Sequence, residues 1–115
     1  MEAKEPERIS AEELMHRMQA GEDFFILDVR AKQSYRLSPV KIKGAIRLPP
    51  SETETHIQEL PVNKPIVVYC SDPAEETASR VGRALVARGI RDVRVLRGGY
   101  ETWLRVGFPW EPKEN

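Results

Sequence analysis

Cys70 closes a short apolar run, Ile66-Val67-Val68-Tyr69, and is followed by a polar loop and an amphipathic helical stretch. A thiol between a strand end and a helix N-terminus is suited to thiolate chemistry, because backbone N–H groups and the helix dipole both favour negative charge there. A free thiol titrates near roughly 8.5, so those groups must lower it to supply thiolate at neutral pH. The segment Cys70-Ser71-Asp72-Pro73-Ala74-Glu75-Glu76-Thr77 forms either an anion cradle or only a cap for the next helix. Asp72-Pro73-Ala74-Glu75 has the form of a capping box with Pro73 at the first helical position, which would leave no room for a cradle. Thr77 offers a later start, its hydroxyl capping a helix that begins at Ala78. Pro73 also removes one amide from any cradle. Asp72, Glu75 and Glu76 suit a helix N-terminus, by about 0.3–1 kcal/mol each. Near a thiolate they repel it and raise its pKa. Across proteins a lone cysteine at a buried strand end is more often an inert small hydrophobe than a nucleophile.

The elements that must position this thiol alternate along the chain. Ser10-Ala11-Glu12-Glu13 reads as a capping box, with Ile9 and Leu14 placed as a hydrophobic staple and Gly21 as the helix stop. Phe24-Phe25-Ile26-Leu27 is a continuous apolar run, as expected of a strand covered on both faces, and Asp28-Val29-Arg30 follows at its end. A short helix around Ala31–Tyr35 leads to a loop containing Pro39, a short strand over 44–48, and a helix over 51–60 that Ser51 could cap. Ile66–Tyr69 is the second clear buried strand. Ala78, Val81, Gly82 and Leu85 recur at helical spacing and end at Gly89. Val93–Leu96 is a further strand, and Gly98-Gly99 a turn before a helix through Trp103. Such alternation predicts an α/β fold, a mainly parallel sheet with helices on both faces. Ligands in such folds gather outside the carboxyl ends of the strands, where Cys70 and Asp28–Arg30 both fall.

The remaining candidates have plainer readings. Asp28 and Arg30 lie two apart, on the same side of a continuing strand, and read as an ion pair holding the strand end. His16 and His56 have no Cys or carboxylate partners at metal-ligand spacing, so no metal is predicted. Trp103 reads as a core anchor. Arg80, Arg83, Arg88, Arg91, Arg94 and Arg97 form a solvated basic face or a dock for an acidic partner. The chain has 115 residues, 18 Lys+Arg against 18 Asp+Glu, and one cysteine. It fits one domain over 9–109, with polar tails at 1–8 and 110–115. Balanced charge argues against recruitment of nucleic acid or an anionic membrane surface. With no signal-like or membrane-spanning run and no possible internal disulfide, the expectation is a cytoplasmic monomer.

An ordered set of motifs resembles the single-domain rhodaneses: Leu27-Asp28-Val29-Arg30, Tyr35, Ile42-Lys43-Gly44-Ala45-Ile46-Arg47-Leu48-Pro49, Val67-Val68-Tyr69-Cys70, Gly98-Gly99-Tyr100-Glu101-Thr102-Trp103 and Gly107-Phe108-Pro109. The resemblance runs from about Ile9 to Pro109. It implies a three-layer rhodanese-like sandwich and a sulfurtransferase whose Cys70 carries sulfane sulfur as a persulfide to a thiophilic acceptor. It also implies a substrate-binding loop at Ser71, Asp72, Pro73, Ala74, Glu75, Glu76 and Thr77, with Asp28 and Arg30 in support. The sulfur is carried covalently, so no cofactor is needed. Three departures stand out. Many active members have glycine and basic residues where this loop is acidic. If Thr77 opens the helix, the loop is one residue longer than the common form, as in rhodanese-fold phosphatases, but those carry arginine where this chain has Glu76. The usual histidine before the Gly-Ala pair is replaced, by Lys41. The acidic loop therefore predicts a thiol-linked or protein-bound sulfur donor, a small thiol or protein acceptor, and poor use of thiosulfate. The alternative is a binding or regulatory module in which Cys70 is idle.

Overall fold

In the computed structural model residues 5–113 are described, and the outer ends of the two expected tails, 1–4 and 114–115, lie outside them. The unbroken apolar run β5 (Ile66–Tyr69) is buried along its whole length at the middle of a five-stranded sheet. It pairs in parallel with β2 (Phe25–Asp28) on one side and β6 (Val93–Leu96) on the other. The outer positions go to β1 (Glu7–Ile9) beside β6 and the two-residue β4 (Ile46–Arg47) beside β2. A side chain faces alternately to either side of a strand. Ile66, Val68 and Cys70 accordingly join one core with Ala78, Val81 and Leu85 of α4 (Glu76–Ala87). Val67 and Tyr69 join the other, with Leu14 of α1 (Ala11–Gln19) and Tyr100 and Trp103 of α5 (Gly99–Arg105). The strand that ends at Cys70 is thus held by packing on both faces and by two parallel neighbours.

Local signals position the outer elements. Ser10 Oγ accepts the Glu13 N–H at 3.0 Å, and Ile9 and Leu14 are buried together, so the Ser10 cap and the staple open α1, while the Glu13 carboxylate faces Arg17 and does not close the box. Between Ser51 and Leu60 the chain differs from the predicted helix. A 3-10 turn, the four-residue α3 (Thr53–His56) and a second 3-10 turn follow one another, and Ser51 lies inside the first turn without capping. Two β-branched threonines and a proline entry give short turns in place of a regular helix. α2 (Lys32–Leu37) leads to β3 (Val40–Ile42), which pairs antiparallel with β7 (Trp110–Pro112) in a separate ribbon. Strands therefore occupy 7–8 and 110–112, two segments read from sequence as tail. Their partners lie some 70 to 90 positions away, beyond the reach of local pattern. Among the described residues no helix is long and apolar enough to cross a membrane.

Candidate active site

Cys70 leaves β5 with its backbone already fixed. Its carbonyl accepts the Tyr100 N–H at 3.0 Å, and Val29 N–H is bonded to the Tyr69 carbonyl at 2.9 Å. Gly99, at φ +58, lies so close that an added β-carbon would collide with the Cys70 carbonyl oxygen. The Gly98-Gly99 turn therefore does more than open α5; it lets that helix approach the cysteine backbone.

The loop after Cys70 turns back over the sulfur. Asp72 is extended, Pro73–Glu75 makes a 3-10 turn, and Ala74 (φ 56) and Glu75 (φ 52) are both left-handed. Left-handed backbone costs about 1–2 kcal/mol at each non-glycine residue. Those two residues break the run, so Pro73 does not open α4, which begins at Glu76. This is one residue earlier than a Thr77 start and two earlier than an Ala78 start. Thr77 is no hydroxyl cap. Its hydroxyl and its N–H both donate to Asp72 Oδ2, the latter at 3.0 Å, so Asp72 caps the first turn of α4 from five residues upstream.

Backbone amides do converge on the sulfur. Ala78 N–H donates to Cys70 Sγ at 3.4 Å, and the backbone amides of Asp72 and Thr77 lie near enough to favour its anion. Yet Cys70 is only 1% exposed. Burial pushes its thiol above the ordinary cysteine value; the Asp72 and Ala78 amides pull it down, the Asp72 charge pushes it up, and the Thr77 amide pulls it down again. The prediction that oriented amides leave an ionised sulfur open to water is thus corrected for the resting site: desolvation wins. The thiolate, which is the reactive form, is the minor species at neutral pH, so alkylation of Cys70 should accelerate by roughly tenfold per pH unit until past the free-cysteine midpoint near 8.5. A rate already level at neutral pH would contradict this.

The acidic loop is less exposed as charge than its sequence implies. Glu75 pairs with Arg8 at 3.0 Å, Asp72 is engaged by Thr77, and Glu76 is the exposed carboxylate. Arg8 arrives from β1, and nothing near either segment in the sequence announces the contact.

On the next strand, Asp28 and Arg30 form the expected pair, fully buried. Arg30 Nη2 donates to Asp28 Oδ2 at 2.7 Å and to the Val40 carbonyl at 3.1 Å, and Arg30 Nε donates to Asp28 Oδ1 at 3.0 Å. Tyr69 OH donates to Asp28 Oδ2 at 2.8 Å and accepts the Ile42 N–H. Burial first, and then the Asp28 charge, raise the Tyr69 phenol so far that it stays a donor. Arg30 Nη1 has no hydrogen-bond partner among the described residues; its guanidinium lies 4.2 Å from the Tyr100 ring, with Tyr35 and Tyr69 at 5.2 and 5.8 Å. The aromatic faces supply what hydrogen bonding does not. Tyr69 faces away from the Cys70 side of the sheet, so this network braces the strand ends rather than touching the sulfur.

Other candidates settle into structure. His56 lies between Glu52 and Glu59, and Trp103 is a buried anchor whose Nε1–H donates to the Pro109 carbonyl at 2.7 Å. Lys41 donates to the Ala45 carbonyl. Arg83, Arg88 and Arg94 pair with Glu5, Glu54 and Asp92. Among the described residues no three His, Cys, Asp or Glu side chains group as a metal site.

The sequence model of the Rhodanese-like domain matches residues 10–105. The chain is 32% identical over 81 residues to the thiosulfate sulfurtransferase GlpE of Coxiella burnetii, covering 70% of this chain and 72% of that protein. It is 29% identical over 101 residues to a sulfurtransferase of Allochromatium vinosum, covering 88% and 91%. Among solved structures, the rhodanese-like domain of the Alr3790 protein from Anabaena sp. superposes with a TM-score of 0.78 at 30% identity, over 98% of this chain and 81% of that one. A rhodanese-related protein from Thermoplasma volcanium gives 0.77 at 22% identity, over 93% and 99%.

Proposed function

This chain belongs to the rhodanese-like domain family, with sulfurtransferases among its relatives, and we propose that it carries sulfane sulfur on Cys70 as a persulfide. The observation that supports this most is the convergence of the Asp72, Thr77 and Ala78 amides on Sγ at the mouth of a parallel sheet. Cys70 thiolate attacks the outer sulfur of a hydropersulfide donor, RS–SH. The new S–S bond forms as the old one breaks, and RS⁻ leaves with the electron pair. Cys70–S–SH then loses its proton, and the amides hold the Cys70–S–S⁻ anion. For discharge, an acceptor thiolate attacks the outer sulfur of the hydropersulfide, and Cys70 departs as thiolate. No net oxidation occurs, so the cycle closes without a further reactant.

Donor choice follows from charge. Thiosulfate, the substrate in the name of the Coxiella relative, is a dianion that would shed its water beside Asp72 and Glu76 at a buried sulfur. A thiol-linked or protein-bound persulfide carries its charge outside the loop. In a steady-state comparison, kcat/KM for a small-molecule persulfide is expected to exceed that for thiosulfate by about tenfold or more, equivalent to about 1.4 kcal/mol of repulsion. Equal or better turnover with thiosulfate would reverse the assignment of donor. The 1% exposure of Cys70 supports the competing reading, an idle binding or regulatory module. A chain that takes up sulfur from no donor at any pH would establish that alternative.

A further inference from the structure

Arg8 sits in β1, paired opposite Val95, far in sequence from the cysteine loop. Its side chain nevertheless spans that loop. Nη2 donates to the Ala74 carbonyl and to Ser79 Oγ, each at 3.1 Å, and Nε donates to Glu75 Oε1 at 3.0 Å. Ala74 and Glu75 are the two non-glycine residues held at positive φ. One guanidinium thus contacts both strained residues and the first turns of α4 at once.

The contacts fall where support is needed. Two consecutive left-handed residues without glycine relax unless something outside the loop holds them. The planar fork of arginine offers several donors in fixed geometry, suited to a carbonyl, a carboxylate and a hydroxyl together. The same loop delivers the amides of Asp72, Thr77 and Ala78 to Sγ. If Ala74 and Glu75 revert to right-handed backbone, those amides no longer converge. Removing Arg8 also leaves the Glu75 carboxylate uncompensated beside the site.

We propose that Arg8 is a positioning residue for the Cys70 site, clamping Ala74 and Glu75 so that the loop amides stay aimed at the sulfur. Its functional consequence rests on the sulfur-transfer reading; its structural consequence does not. Arg8→Gln is expected to move the midpoint of the pH profile of Cys70 alkylation upward by about one pH unit and to slow sulfur loading at neutral pH by about tenfold. Arg8→Lys, which keeps charge but not the fork, recovers only part of either loss. Adding Ala74→Gly and Glu75→Gly to Arg8→Gln restores the midpoint, because glycine holds positive φ without a clamp.

Thermal melting of each variant separates these effects from unfolding. A midpoint unmoved in folded Arg8→Gln, full recovery with Arg8→Lys, or no rescue by the two glycines would each overturn the clamp. A wild-type chain that never loads sulfur while its midpoint still depends on Arg8 would overturn sulfur transfer and leave the clamp standing.

Discussion

Replacing Cys70 by serine is expected to abolish sulfur uptake and to lower turnover by on the order of a thousand-fold or more. The chain has no other thiol to take over. A serine hydroxyl is a far weaker nucleophile at neutral pH, and among the described residues no histidine or other general base is bonded to Cys70 Sγ to activate it; its hydrogen-bond partner is the Ala78 amide. The substitution is close to isosteric, so the variant should fold, which circular dichroism can verify. Turnover retained in Cys70→Ser would show that sulfur does not pass through this residue.

Asp28→Asn should produce the largest loss of stability of any single polar substitution, about 3–5 kcal/mol by urea denaturation. Asp28 accepts from Arg30, from Tyr69 OH and from the Arg30 backbone N–H, and Arg47 lies 3.7 Å away. Neutralising it strands the Arg30 guanidinium, whose side chain has no exposure to water. The expected pattern is a weakened fold with chemistry intact: below the unfolding transition, Asp28→Asn should still load sulfur. A variant as stable as wild type would mean that the aromatic faces alone hold Arg30. A stable variant that failed to load would instead give Asp28 a direct part at the sulfur.

How far the sequence disclosed this arrangement depends on the range of each interaction. Ser10, Ile9 and Leu14 announced the start of α1 because a cap and a staple are local devices. Ile66–Tyr69 announced a central strand because a run buried on both faces has no polar alternation. Asp28 and Arg30 announced their pairing by sitting two apart on one strand. Arg8 could not be read in the same way, since its contacts with the loop cross 66 to 71 positions. The β3–β7 ribbon was hidden for the same reason. At Ala74 and Glu75 the side chains gave no sign of positive φ, which glycine would have marked. The capping pattern around Asp72 was real, but its carboxylate serves Thr77 rather than Glu75, so the helix begins later than Pro73. Burial of Cys70 was the least legible feature, because it arises when α4 and the loop close over the strand end, and it reverses the direction in which the thiol is pushed.

The most direct measurement is intact-mass analysis of the wild-type chain through one cycle, first with excess persulfide donor and then, after its removal, with a thiol acceptor. The account predicts a gain of one sulfur atom on the peptide containing Cys70, then its loss in step with its appearance on the acceptor. A chain that never gains sulfur, or gains it and does not release it to any thiol, would contradict transfer through this cysteine.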